Sequence, residues 1–137
     1  MITNSTFSDN LGSGFVMSFD TAEVEMRNTN FENNKMLGPS GTTLRTVESK
    51  LRLREKVFFV NNEGVTGGAL RMSSHSSLIS TGTQFVKNTA HEMGGAIMIS
   101  EAYEVTLRET NFTENRSSKI ASVIWASNGH GKTNIVA

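Results

Sequence analysis

Phe85-Val-Lys-Asn88-Thr-Ala-His91-Glu-Met-Gly94-Gly95-Ala96-Ile97 is the stretch whose reading decides the fold. It holds two signatures: a Phe followed three residues later by Asn, and a Gly-Gly-Ala followed by an aliphatic residue. The first recurs at Phe7/Asn10, Phe31/Asn34, Phe58/Asn61 and Phe112/Asn115; the last four pairs step by 27 residues and the first interval is 24. Val24, Leu51, Leu78 and Val105 repeat at 27, each seven residues before the Phe of its unit. A third series, Val16, Leu44, Leu70, Ile97 and Ile124, has intervals of 28, 26, 27 and 27, as though one extra residue near Gly38-Pro39-Ser40 were absorbed within its own coil. A fixed period this long is the mark of a repeat architecture.

Around these anchors apolar residues alternate with period two. Leu51 and Leu53 flank Arg52, Leu70 and Met72 flank Arg71, Ile97 and Ile99 flank Met98, and Val105 and Leu107 flank Thr106. Short alternating runs bounded by Gly, Asn and Ser are strands, and no amphipathic helical stripe competes with them. Three short strands in about 27 residues make one turn of a parallel β-helix, in which each strand pairs with its equivalent above and below. The expected fold is therefore all-β: a right-handed parallel β-helix of five coils, with units at 1–27, 28–54, 55–81, 82–108 and 109–137. Five coils about 4.8 Å apart give a rod roughly 24 Å long, in which each unit touches only its neighbours.

Composition agrees with this reading. The 137 residues contain 16 Ser, 15 Thr, 13 Asn and 12 Gly but only 36% apolar residues, so the large apolar side chains must be concentrated on interior rows. The Phe ladder (Phe7, Phe31, Phe58, Phe85, Phe112) should stack in the core, each buried side chain contributing roughly 1.5–3 kcal/mol. The Asn ladder (Asn10, Asn34, Asn61, Asn88, Asn115) should sit at a left-handed turn and share amide hydrogen bonds between coils. The small-residue row Gly14, Thr42, Gly68, Gly95 and Ser122 should mark a tight corner. Thirteen basic and 13 acidic residues leave no net charge, which argues against a nucleic-acid partner. No cysteine is present, so disulfides and thiolate metal sites are excluded. No apolar run approaches a membrane span.

Together, Gly67-Gly68-Ala69-Leu70, Gly94-Gly95-Ala96-Ile97 and the Phe-x-x-Asn pairs resemble the GGA[ILV] and FxxN repeats of the polymorphic membrane proteins. These are surface autotransporter adhesins of Chlamydia, with similar repeats in surface proteins of protists and other organisms. FxxN is present in all five units; GGA[ILV] is intact in two, the others reading Gly14-Phe15-Val16, Thr42-Thr43-Leu44 and Ser122-Val123-Ile124. The resemblance implies a right-handed parallel β-helix at a cell surface, working in adhesion or display, with a protein or glycan as partner.

Candidate chemistry is sparse. Ala126-Ser-Asn-Gly-His-Gly131-Lys132-Thr133 satisfies a loose phosphate-loop pattern, but a true phosphate loop feeds a helix, and only Asn134-Ile135-Val136-Ala137 follows. A polysaccharide lyase or hydrolase needs clustered carboxylates. Here the two aspartates, Asp9 and Asp20, fall in the first coil, and Glu25, Glu48, Glu55, Glu104 and Glu109 are dispersed among arginines. His75, His91 and His130 lie in separate loops at no ligand spacing. The reading is therefore a non-enzyme with no cofactor, no metal and no catalytic residues; a fragment of a polysaccharide-active enzyme is the alternative.

The outward rows carry the binding expectation. One reads Met17, Arg45, Arg71, Met98, Trp125; another holds Arg27, Arg54 and Arg108, with Arg52 nearby. Arginines on a flat wall suit anionic glycans, and Met98 with Trp125 suits a partner surface, although the same residues also keep a β-rod soluble. Glycosylation sequons begin at Asn4, Asn111 and Asn115; Asn111 should face outward, and Asn115 should be protected inside its ladder. The repeat rhythm runs to both ends of the chain, which predicts a segment of a longer protein or a subunit that stacks with other chains into a filament or larger complex.

Overall fold

A computed structural model describes residues 1–127 and the backbone of 132–135. Among the described residues there is no helix; the chain is strands and turns, wound into a parallel β-helix of about five coils. Three sheets line the column, and every strand pair is parallel. One five-stranded sheet stacks Phe15–Asp20, Thr42–Val47, Leu70–Ser73, Ile97–Ser100 and Ile124–Ser127. The nine-stranded sheet unites the Val/Leu and Phe series, because the strand Glu23–Glu32 is long enough to carry both Val24 and Phe31. The remaining five-stranded sheet consists of very short strands, Leu11–Gly12, Lys35–Met36, Glu63–Thr66, Thr89–Met93 and Arg116–Ser117. Its residues are mostly polar or small, so it carries little hydrophobic periodicity.

The register follows the repeat, with three corrections. The Phe ladder runs Phe7, Phe31, Phe59, Phe85, Phe112; Phe59, not Phe58, is the inward member. The rings stack 4.8 to 5.0 Å apart and within 15° of parallel. Phe58 instead pairs with Asn30 and Gln84 on the outer side of the strand. The shift has a local cause. Asn28 and Gly82 each turn a corner as a single left-handed residue, whereas the equivalent corner of the third coil uses two, Glu55 and Lys56 (φ 55° and 61°). The extra residue makes the intervals 28 and then 26. Ser74 and His75 (φ 50° and 60°) are a second such doubled corner. The segment Leu37–Gly41 is a third place where coil length changes, since the offset is 24 just before it and 27 just after. Length is thus adjusted at these three corners, and again at the bulge where Ala90 pairs with Gly64 but Met93 with Thr66, rather than by one insertion near Pro39.

The same shift moves the amide ladder to Asn10, Asn34, Asn62, Asn88 and Asn115. Asn61 belongs to an outer row with Asn33, to which its Nδ2 donates at 2.9 Å. The buried ladder residues are not the left-handed ones; that role falls on the residue before each, Asp9, Asn33, Asn61, Lys87 and Glu114 (φ 52° to 56°). Each inner amide is satisfied on every side. Asn88 Nδ2 donates to Phe59 O and Asn115 Oδ1, and its Oδ1 accepts from the backbone and side-chain N–H of Asn62.

At the lower end of the Leu70 wall the register pairs Met17 with Leu44 and Phe15 with Thr42. Met17 therefore takes the inward place expected of Val16, and Phe15 the place expected of Gly14. Higher in the column the Gly-Gly corner is strictly required. Gly67 and Gly94 have φ of 71° and 66°, and a Cβ on Gly95 would lie 2.0 Å from Ser122 O. The core is one contiguous cluster along the column axis, with Phe31, Phe59, Phe85, Leu51, Leu70, Leu78 and Ile97 fully buried.

Candidate functional site

The outward row of the Leu70 wall is Ser18, Arg45, Arg71, Met98, Trp125. Four of the five expected members are there; Ser18 replaces Met17, which the register turns inward. Strand alternation places these side chains on the face opposite Leu44, Leu70 and Ile97. Arg45 is the anchored member. Its Nη1 donates to Ser18 Oγ at 3.0 Å and Asp20 Oδ2 at 3.3 Å, and its guanidinium lies 5.2 Å from the Phe15 ring centroid, in cation–π range.

Arg71 is different. Among the described residues it has no ion pair, and its Nε is shut away from water without a hydrogen-bond partner. Burial, followed by the like charge of Arg45 one coil away, lowers its pKa from the usual arginine value. Met98, expected to be exposed, is only 7% exposed between its register neighbours Arg71 and Trp125, and Trp125 is half-buried. The result is a flat strip with two guanidinium groups at one end and an apolar, aromatic platform at the other.

The second set of arginines lies on the nine-stranded wall. Arg27, Arg54, Thr81 and Arg108 form one row, and Glu25, Arg52, Ile79 and Thr106 the row beside it. Most of this charge is neutralised locally. Arg27 bonds Glu25 at 2.5 Å and Glu55 at 2.8 Å, and Arg52 bonds Glu23. These contacts hold the Glu25 and Glu23 carboxyls below the usual carboxylate range, through hydrogen bonds from Arg27 and Arg52 respectively. Arg108 has no ion pair among the described residues and borders an open depression of about 360 Å³ with Arg54, Glu55, Ile79 and Thr81. The candidate binding residues thus lie on two walls, in the two rows that the repeat period predicts.

A further surface escaped the sequence reading. Beside the Asn corner, depressions of about 330 and 250 Å³ share Asn61 and Thr89. Register aligns Lys35, Glu63, Thr89 and Arg116 along one side. Glu63 bonds Lys35 at 2.9 Å and His91 at 2.6 Å. Burial pushes the Glu63 carboxyl up, but these two partners outweigh it and hold it below its ordinary value. The alignment is legible only once Asn62 replaces Asn61 in the ladder.

Asn4 and Asn111 are exposed, whereas Asn115 is buried with its Nδ2 donating to Phe85 O at 2.8 Å. His75 lies at a left-handed corner and His91 beside Glu63. Among the described residues no group of three His, Asp or Glu side chains is placed to hold a metal ion, and no helix is long and apolar enough to cross a membrane. Most of the phosphate-loop-like segment, Asn128–Gly131 with His130, lies outside the described residues. Comparison with protein-family models, with curated proteins and with solved structures finds no match, and the chemistry of the surface rows is what speaks to function.

Proposed function

We propose that this chain is a non-enzymatic β-helix of a cell surface or extracellular space, acting in adhesion or structural display. The observation that carries the reading is the Arg45–Arg71–Met98–Trp125 strip, in which a half-buried guanidinium with no ion pair among the described residues lies in register with an aromatic platform. A donor shut away from water without a partner, as the Arg71 Nε is, costs stability, so Arg71 is not accounted for by what it contributes to the fold. The internal ladders support the same reading: a column whose buried amides are all satisfied is a stiff scaffold for presenting such a strip. The resemblance of the FxxN and GGA[ILV] repeats to the polymorphic membrane proteins points the same way.

The test is attachment of the immobilised protein to cells in culture. Wild-type protein should retain cells, and Arg71→Gln combined with Trp125→Ala should lose most of that retention while keeping the wild-type circular dichroism spectrum. Equal retention by the double variant would refute the assignment of the strip, and no attachment of any cell type would refute adhesion.

A further inference from the structure

The partner of the strip can be named by its chemistry. We infer that Arg45, Arg71, Met98 and Trp125 form a docking row for an acidic polysaccharide lying parallel to the column axis, its sulfate or carboxylate groups on the two guanidiniums and a sugar ring on Trp125. The inference rests on the adhesion reading and goes one step further, to the class of ligand.

The first argument is charge. Arg45 and Arg71 are directly opposite each other across a parallel strand pair. Like charges so placed repel, and Asp20 relieves only Arg45. Among the described residues no acid or other acceptor engages Arg71; its Nε is shut away from water, so the two Nη groups are the donors it presents. The paired Nη groups match a two-oxygen face of sulfate or carboxylate, and an anion between the two arginines would give Arg71 a counter-charge and remove the repulsion.

The second argument is shape. Met98 and Trp125 continue the row on the next two coils. At a coil rise of about 4.8 Å, Trp125 stands roughly 10 Å along the axis from Arg71, a distance that a few sugar rings of an extended chain would span. The apolar face of a sugar ring stacks on an indole, as other flat apolar groups do.

The third argument separates this ligand from an acidic peptide. Extended peptides gain affinity by adding a strand to a free sheet edge. The row lies on a sheet face whose strands are already paired on both sides at Arg45, Arg71 and Met98, so it offers no backbone groups. It suits a polymer recognised by anionic substituents on flat rings. With no net charge on the chain, general electrostatic attraction does not supply the binding.

The measurement is binding of the full chain to a heparin-derived octasaccharide, with a hyaluronan octasaccharide as the carboxylate-only probe and a poly-glutamate peptide as the acidic-peptide probe. Saturable binding of one or both sugars is expected. Arg71→Gln should weaken it about tenfold, Trp125→Ala about fivefold with recovery in Trp125→Phe, and Arg108→Gln, which removes an unpaired charge from the other wall, should leave it unchanged. Equal weakening by Arg71→Gln and Arg108→Gln, indifference to Trp125→Ala, equal binding of poly-glutamate, or no binding of either sugar would overturn the inference. Cell attachment surviving heparinase and hyaluronidase digestion would overturn the polysaccharide while leaving adhesion standing. Failure to attach to untreated cells, with octasaccharide binding intact, would do the reverse.

Discussion

Replacing Asn88 by Ala should cost far more than replacing Asn10 by Ala, although both belong to one ladder. Asn88 is fully buried and makes four side-chain hydrogen bonds. Without it, the backbone N–H of Asn62 and one Nδ2 hydrogen of Asn62 lose their acceptor inside the column, and Phe59 O loses a donor. Asn115 Oδ1 keeps the backbone N–H of residue 88 and is not orphaned. Two stranded N–H groups at about 1–3 kcal/mol each give a loss of roughly 4 kcal/mol, a large fraction of the 5–15 kcal/mol typical of a whole domain. Asn10 is exposed; its Nδ2 donates to Asn34 Oδ1 at 2.8 Å, which retains the Asn10 backbone N–H at 3.1 Å. Its loss should cost below about 1 kcal/mol. Urea unfolding followed by circular dichroism measures both. Similar midpoints for the two variants would refute the claim that the interior amides are satisfied through one another.

Four further outcomes follow from the same geometry. Phe59→Ala should destabilise by about 3–5 kcal/mol, as large-to-small core changes do, while Phe58→Ala on the outer side should cost far less; the reverse order in urea midpoints would restore the simpler 27-residue register. Gly95→Ala should fail to fold or lose several kcal/mol, because its Cβ would meet Ser122 O at 2.0 Å and Arg116 O at 2.6 Å, whereas Gly82→Ala, with φ 68° and nothing within 4 Å, should cost only about 1–2 kcal/mol. Because Arg27 lowers the Glu25 pKa in the folded state, its contribution is present above the ordinary carboxylate range and is lost as pH falls through the lowered value; Glu25→Gln should flatten the decline in urea midpoint on acidification. Expression through a eukaryotic secretory pathway should place glycans at Asn111 and Asn4 but not at Asn115, read by mass spectrometry after glycosidase treatment.

The architecture was legible because stacking imposes it. Residues such as Leu51, Leu78 and Val105 can lie over one another only if every coil returns to the same position, so the period is a direct record of the fold. Misreadings arose where neighbouring letters were interchangeable. Phe58-Phe59 and Asn61-Asn62 each offer two equally good matches, and the doubled corner at Glu55-Lys56 selects the second. Val16-Met17 is the same ambiguity among aliphatic residues. The short-stranded sheet left no pattern because strands of two to five residues with polar side chains bury little. Of the binding strip, the alignment of Arg45, Arg71, Met98 and Trp125 could be read from the period. The burial of Met98 and the isolation of the Arg71 Nε could not, since both depend on how neighbouring side chains lie across the strands.

In the amide ladder every amide-to-amide bond runs the same way: Asn10, Asn34, Asn62 and Asn88 each donate to the Asn Oδ1 of the coil that follows. The spine is therefore vectorial, like a one-way chain of links. A coil duplicated, deleted or grafted from another unit can rejoin it only in the original orientation, because an inverted coil would set hydrogen against hydrogen at one seam and oxygen against oxygen at the other. Lengthening or shortening the column by whole turns is compatible with this chemistry, and turning any part of it upside down is not.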